Sequence, residues 1–90
     1  MTPGPEVLKS RSNDLICREV DGKLVGLDLR SSRYFSLNPA GTALWRLLEG
    51  GAQASDLVEA LVNEHQIAPE AAEVDVQTFI ASLLEQDLLE

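Results

Sequence analysis

The chain has 90 residues, 44% of them hydrophobic, and a net charge of −8, which together predict a single folded, acidic domain. Seven Lys and Arg residues without a basic cluster disfavour nucleic acid as a partner, because phosphate binding depends largely on cationic side chains. No uninterrupted apolar run approaches the roughly 20 residues that a membrane helix needs, so we expect no membrane partner.

The first residues of the sequence predict no packed element. Residues 1–13 contain several Pro, Gly and Ser residues and no periodic apolar face, which indicates a flexible N-terminal arm before a domain of residues 14–90. The single cysteine, Cys17, cannot form an intramolecular disulfide, and no charged-then-apolar leader opens the sequence. We therefore expect a cytoplasmic protein.

Two paired strands follow the arm. Residues 15–20 are typical of a strand, Asp21-Gly22 is a strong two-residue hairpin signal, and residues 23–29 return as the second strand. Side chains along a strand alternate between its two faces. The face of the second strand that we expect to meet the core carries Val25, Leu27 and Leu29.

A short third strand over residues 34–37 follows a polar turn. It places Phe35 and Leu37 on one face, and Tyr34 and Ser36 on the other. The result is a three-stranded antiparallel sheet with the third strand at an edge. Because an edge strand has unpaired backbone N–H and C=O groups, an extended peptide can add to it as a further strand.

The first helix is expected over residues 39–49. Asn38 is a good N-cap and Pro39 suits the first helical position, since its missing N–H has no partner there. Gly50-Gly51 ends the helix, because glycine readily adopts the conformation of a helix terminus. The inner side of this helix is expected to carry Ala40, Ala43, Leu44, Leu47 and Leu48.

Two further helices complete the chain. The second should start at Ala54 or Ser55, and the third should run from near Pro69 to about Gln86. Helical spacing predicts one apolar stripe on the third helix, formed by Ala72, Val76, Phe79, Ile80 and Leu83. Val74, Ala81 and Leu84 widen the apolar arc beyond what one core requires. We therefore expect this helix to contact both the core and a groove beside the sheet.

Three strands followed by three helices predict an α+β fold, with the helices on one face of a small antiparallel sheet. A set of residues in a characteristic order and spacing runs through these elements. They are Leu27, Asp28, Leu29, Arg33, Tyr34, Phe35, Leu37, Asn38, Pro39, Gly41, Trp45, Gly50, Gly51, residues 57–61, Asp75, Phe79, Leu83, Leu88 and Leu89. This pattern resembles the PqqD-like proteins, the peptide-recognition elements of pathways that modify ribosomally made peptides. The resemblance covers nearly all of the chain after Asp14 and implies a winged helix-turn-helix-like fold.

Catalytic chemistry has little support in the sequence. The one Cys and the one His, Cys17 and His65, lie in different predicted elements and fit a half-buried strand residue and a solvated helix end. Glu70 and Glu73 suit the positive end of the third helix dipole, with acid/base or cation-binding work as the alternative. The sequence has no clustered metal ligands and no phosphate-binding glycine loop. We expect no enzyme activity, metal or cofactor.

The resemblance implies binding of the leader segment of a precursor peptide, as an added strand between the third strand and the third helix. On this hypothesis the strand contacts come from Arg33, Tyr34, Phe35 and Ser36. The helix wall consists of Asp75, Val76, Phe79, Ile80 and Leu83. Asp75 matches a recurrent acidic position of the family and could hold a polar or cationic group. Core packing is the alternative role of the apolar residues in both sets, because a stripe at helical spacing usually forms core.

The short, single-domain chain most resembles the standalone recognition proteins of lasso-peptide pathways. That resemblance implies two partners, a leader peptidase of the cysteine-protease type and a cyclase. One alternative is a PQQ-type peptide chaperone for a radical enzyme, which would share the fold and the binding mode. Another is a winged-helix transcription regulator, but residues 70–86 carry four acidic residues and no Lys or Arg, which disfavours DNA binding.

Overall fold

The computed structural model describes residues 6–90. Within them the elements follow in the order β1 (Val7–Leu8), β2 (Leu15–Val20), β3 (Lys23–Asp28), β4 (Arg33–Leu37), α1 (Pro39–Glu49), β5 (Ala52–Gln53), α2 (Ala54–His65) and α3 (Pro69–Glu85). β2, β3 and β4 form one antiparallel sheet in that order, and β1 pairs with β5. The three-stranded sheet followed by three helices confirms the predicted α+β fold. β1 and β5 are two short strands that the sequence did not indicate.

The β2–β3 hairpin is built around its turn residues. Asp21 and Gly22 both have positive φ, at 52° and 80°, which matches the requirement of a two-residue type I′ turn. Glycine adopts this conformation at no steric cost, and Asp tolerates it better than most residues do. The register then pairs Val20 with Lys23. The predicted hairpin is confirmed.

α1 is fastened to the sheet at its first turn. The side-chain Oδ1 of Asn38 accepts a 2.7 Å hydrogen bond from the Gly41 N–H, as an N-cap should. The buried hydroxyl of Thr42 accepts a hydrogen bond from the Leu24 N–H at 2.9 Å and donates one to the Leu37 carbonyl at 3.3 Å. One side chain of α1 therefore joins β3 to the end of β4.

The buried face of β3 is the opposite of the predicted one. The prediction that Val25, Leu27 and Leu29 meet the core is wrong, since Val25 is 39% exposed, Leu29 is exposed and Leu27 is only partly buried. The buried residues of the strand are Leu24, Gly26 and Asp28.

Two buried positions of β3, Gly26 and Asp28, have no apolar side chain, and residues from outside the strand pack against them. Gly26 lies opposite Phe35 in the register, and the Phe35 ring occupies the space that a Cβ on Gly26 would need. Phe35 also packs against Trp45, with ring centroids 5.7 Å apart. Asp28 is paired with the buried side chain of Arg11. Because neither partner belongs to β3, the alternation of its own residues pointed to the wrong face.

The hydrophobic core lies between the sheet and the helices, and Phe35 and Leu37 of β4 pack against it as predicted. The stripe predicted on α3 is confirmed, with Phe79 and Ile80 partly buried at its margins. On α1, Leu47 is exposed rather than buried, because the inner side of that helix consists of Gly41, Thr42, Leu44, Trp45 and Leu48. The buried helix residues include Leu44, Trp45, Leu48, Leu57, Leu61, Ala72, Val76 and Leu83. No helix within residues 6–90 combines the length and the apolar character that crossing a bilayer requires.

Residues 6–13, which the sequence assigned to a flexible arm, lie against the domain. β1 pairs with β5, the Ser10 N–H donates to the Leu48 carbonyl at 3.0 Å, and the Arg11 N–H donates to the Leu88 carbonyl at 2.8 Å. The side chains of Ser10 and Arg11 are buried. Backbone hydrogen bonds and an ion pair hold this segment, so it needed no periodic apolar face. The rest of the predicted arm, residues 1–5, lies outside the described residues.

Candidate functional site

β4 is an outer strand of the three-stranded sheet. It pairs with β3 on one side, where Asp28 lies opposite Arg33 and Gly26 lies opposite Phe35. Along the part of the chain that the structure describes, no strand pairs with the other side of β4. A strand of five residues spans about 17 Å at 3.4 Å per residue. This edge therefore offers backbone donors and acceptors to an extended chain of similar length.

A cavity of about 720 Å³ lies at the start of β4, and we call it the strand–helix pocket. β4 contributes Arg33, Tyr34 and Phe35 to its lining. Residues 85–88, at the end of α3 and just after it, line the same cavity. The first residues of β4 thus form one side of the pocket, and the end of α3 with the residues that follow it forms another.

A second cavity, of about 370 Å³, lies at the other end of β4, and we call it the Asn38 pocket. Its lining includes Asn38, which follows β4 directly, and Asp75 and Phe79 of α3. Along α3, the rise from Asp75 to Glu85 is about 15 Å at 1.5 Å per residue, close to the length of β4. Residues of α3 therefore line a pocket near each end of β4, and we call the surface between these two pockets the groove.

Six of the predicted site residues border this groove or lie on its strand. The structure brings together Arg33, Tyr34 and Phe35 in the strand–helix pocket, places Asp75 and Phe79 in the Asn38 pocket, and leaves Ser36 exposed on β4.

The other three predicted site residues do not line either pocket. Val76 and Leu83 are each only 1% exposed and belong to the hydrophobic core. Ile80 lines a separate cavity of about 530 Å³, together with Leu84 and with Leu8 of β1. These residues hold α3 against the rest of the domain, and α3 in turn forms the helical side of the groove.

The strand–helix pocket has charged walls of both signs. Asp28, Glu85 and Asp87 line it alongside Arg33. Burial of Asp28 opposes its ionisation, but the hydrogen bonds from the Arg11 side chain and from the Arg30 N–H outweigh that effect, so the pKa of Asp28 lies below its ordinary value. Asp28 is therefore a carboxylate at neutral pH.

Several residues of the strand–helix pocket were missed by the sequence analysis. The alternation along the second strand predicts that Asp28 faces away from the core, and it predicts no role for Glu85, Gln86 or Asp87. The polar run over residues 85–87, at the end of the mostly apolar helix α3, was an available signal for the last three. Nothing in the sequence, however, indicates that Asp28 and Asp87 share one cavity, because they are far apart in the chain.

Cys17 and His65 lie apart, on β2 and at the end of α2. Cys17 is exposed rather than half-buried. Partial desolvation, together with the negative charge of Glu49, raises the pKa of the Cys17 thiol, which lowers its thiolate fraction at neutral pH. His65 is exposed at its helix end, as predicted. Across residues 6–90, no three His, Cys, Asp or Glu side chains are grouped so that they could hold a metal ion.

Comparisons with known proteins relate this arrangement to solved structures. One solved structure, described as TbiB1 in complex with the TbiA(beta) leader peptide, is 30% identical with a TM-score of 0.81, over 91% of this chain and 94% of that one. Another, described as lasso peptide synthetase B1 complexed with the leader peptide, is 27% identical with a TM-score of 0.77, over 92% of this chain and 96% of that one. No curated protein matches the sequence.

A family of sequences also matches most of the chain. Residues 23–89 match the family described as coenzyme PQQ synthesis protein D, PqqD. The match starts at the first residue of β3 and ends after α3. The resemblance found in the order of its residues is thereby confirmed, and the chain belongs to the PqqD family.

Proposed function

We propose that this chain binds the leader segment of a ribosomally made precursor peptide, as an additional strand on β4, without catalysing a reaction itself. The observation that carries the proposal is the edge of β4 that stays unpaired within residues 6–90, with a pocket near each of its ends that α3 helps to line. Backbone hydrogen bonds along β4 would supply affinity that is independent of sequence. Side chains of the guest that enter the two pockets would supply the selectivity.

On the strand side, three residues have distinct roles. Tyr34 is 76% exposed, so its ring is free to pack on a guest strand. Phe35 is shared between the core and the strand–helix pocket, where it forms an apolar wall. Arg33 lines the same pocket and takes part in none of the ion pairs within residues 6–90, so its guanidinium can bind a carboxylate or a carbonyl of the guest. Ser36 contributes backbone pairing.

On the helix side, direct contact belongs to Asp75 and Phe79 in the Asn38 pocket. Phe79 supplies apolar surface, and Asp75 can bind a polar or cationic group. Val76, Ile80 and Leu83 act indirectly, since they pack α3 against the domain and so keep the helix beside β4.

The comparisons support the class of ligand. Both solved structures are described as complexes with a leader peptide, and each aligns with more than nine-tenths of this chain. We infer that the bound precursor is delivered to a leader peptidase of the cysteine-protease type and to a cyclase, which is the division of labour that a lasso-peptide pathway requires.

A titration of fluorescein-labelled TbiA(beta) leader peptide, followed by anisotropy, tests the proposal. Where a short precursor peptide is encoded beside the gene for this chain, its leader is titrated in the same way. We expect saturable binding, and increased protection of the β4 backbone amides against hydrogen exchange. The amides of β2, the other outer strand of the sheet, provide the matched control and should keep their exchange rates. If no leader binds saturably, or if protection appears on β2 instead, the proposal is wrong.

The family description favours a second candidate, a peptide chaperone that presents its cargo to a radical enzyme in coenzyme PQQ synthesis. Its fold and groove would be the same, so only the partner separates the two functions. Purified tagged chain, loaded with leader peptide, should retain the peptidase and cyclase on a pull-down under the first function. Retention of a radical enzyme alone would favour the second.

A further inference from the structure

A buried arginine lies behind the strand–helix pocket and touches both of its sides. Arg11 is 6% exposed, and its guanidinium Nη2 donates a hydrogen bond to Oδ1 of Asp28, at the end of β3. Its Nη1 donates to the Asp87 carbonyl at 2.9 Å and lies 3.6 Å from Oδ2 of the same residue. Asp28 and Asp87 both line the strand–helix pocket.

The two aspartates belong to opposite sides of the groove. Asp28 lies opposite Arg33 in the β3–β4 register, so its position fixes where β4 starts. Asp87 follows the last residue of α3, Glu85, by two positions. A bond between Arg11 and each of them therefore sets the separation between the start of β4 and the end of α3.

The backbone around Arg11 makes this link rigid. The Arg11 N–H donates to the Leu88 carbonyl at 2.8 Å, and the Glu90 N–H donates to the Lys9 carbonyl at 2.8 Å. The Nε of Arg11 is buried with no hydrogen-bond partner in the described residues. The guanidinium is thus oriented by its two terminal nitrogens, Nη1 towards Asp87 and Nη2 towards Asp28. This orientation leaves Nε without a partner among the described residues.

We propose that Arg11 is a positioning residue for the bound peptide, a clamp that holds the strand–helix pocket at the width a guest strand requires. The inference rests on the function proposed above. A guest strand on β4 must contact the end of α3 at the same time, so a pocket of variable width would have to be ordered on binding, which costs affinity. Arg11 lies outside residues 23–89, the part of the chain that matches the family, and extends the site into the N-terminal segment.

Arg11→Lys tests the clamp. Lysine keeps a positive charge beside Asp28, but its compact ammonium lacks the planar fork that reaches two partners at once. We expect the labelled TbiA(beta) leader peptide to bind about tenfold more weakly, with a thermal midpoint close to that of the wild type. The matched control is Arg46→Lys, because Arg46 on α1 also has two carboxylate partners, Glu19 of β2 and Glu49 of its own helix, but at exposed positions outside the pocket. It should bind as the wild type does.

The width of the pocket can be measured without any peptide. Nitroxide labels on Ser31→Cys and Gln86→Cys, in a Cys17→Ser background, report the distance across the pocket by pulsed electron paramagnetic resonance. We expect a narrow distribution with Arg11 and a broadened one with Arg11→Lys. Arg11→Met combined with Asp28→Leu severs the link to Asp87 without leaving a buried charge unpaired, and should broaden the distribution in the same way.

Leader binding by the wild-type chain tests the proposed function, and the label distances test the role of Arg11 independently of it. A wild-type chain that binds no leader overturns the proposed function, while the label distances still decide whether Arg11 sets the pocket width. A narrow distribution in both Arg11 variants overturns the clamp, as does unchanged peptide binding by Arg11→Lys. Loss of binding together with a broadened distribution supports it.

Discussion

The ring of Phe35 on β4 covers Gly26, the residue directly opposite on β3. The space that a side chain on residue 26 would fill is taken by the ring, which also packs against Trp45 and lines the strand–helix pocket. One aromatic residue thus closes the core and forms a wall of the groove. The absence of a side chain at Gly26 is what allows it to do both.

Gly26→Ala should therefore destabilise the domain. The new methyl group overlaps the Phe35 ring, and overpacking of this kind costs about 1–3 kcal/mol of unfolding free energy. Urea denaturation followed by circular dichroism measures the loss. Phe35→Leu in the same chain should recover part of it, because the smaller side chain leaves room. Gly50→Ala is the control, since its nearest non-neighbouring atom would be 3.9 Å away; an equal loss at both glycines would contradict the argument.

Thr42→Val should loosen the junction between the sheet and α1. The hydroxyl of Thr42 accepts from the Leu24 N–H at 2.9 Å, and valine leaves that buried donor without a partner. We expect a loss of about 1–3 kcal/mol in the free energy of unfolding. Thr42→Ser keeps the hydroxyl and should lose less. If the serine variant proves to be the less stable of the two, packing of the methyl group rather than the hydrogen bond holds this junction.

Asp28 should make stability depend on pH in the acid range. Its pKa in the folded chain lies below the ordinary value of 3.8, because the hydrogen bonds to Arg11 and to the Arg30 N–H outweigh its burial. A lowered pKa means that the stabilisation is fully present above the unfolded value and is lost as the pH falls through the folded value. Wild type should therefore exceed Asp28→Asn in thermal midpoint at pH 7, and the difference should shrink below pH 3.8.

The control for that measurement is Asp14→Asn. Asp14 pairs with Arg30 at 3.0 Å, but both side chains are about half exposed, so removing the charge should have a small effect. The positive φ of Asp14, 59°, suits asparagine as well. A gap between wild type and Asp28→Asn that stays constant from pH 7 to pH 2.5 would show that the ion pair with Arg11 is not its cause.

Val76→Asp should lower the stability of the fold, whereas Tyr34→Ala should lower only the affinity for the leader peptide. Val76 is 1% exposed, so a carboxylate there is buried without a partner and should cost about 4 kcal/mol or more of stability. Tyr34→Ala should leave the melting curve unchanged and weaken leader binding by about tenfold, since exposed aromatic anchors often dominate an interface.

Val74→Asp serves as the matched control on the same helix. Val74 is 62% exposed, so its replacement should change stability by no more than about 0.5 kcal/mol. Circular dichroism melts and anisotropy titrations on all three variants check these expectations. Full affinity in a well-folded Tyr34→Ala chain would remove Tyr34 from the groove.

The order and boundaries of the main elements were predictable because local signals encode them. Asp21-Gly22 needs a tight turn, Asn38-Pro39 starts a helix at Pro39, and the apolar spacing after Pro69 produces the stripe of α3. Each of these signals acts between residues that are close in the chain. The position of β4 was also predictable, because the last of three consecutive antiparallel strands lies at an edge of the sheet.

The inward face of β3 and the composition of the groove were decided only by tertiary contacts. Gly26 and Asp28 face inward because Phe35 fills the space beside one and Arg11 neutralises the other, and both partners come from outside the strand. A hydrophobic pattern scores each residue by its own side chain. It therefore cannot show that an apparently mobile segment supplies a buried charge, which then joins the start of β4 to the end of α3.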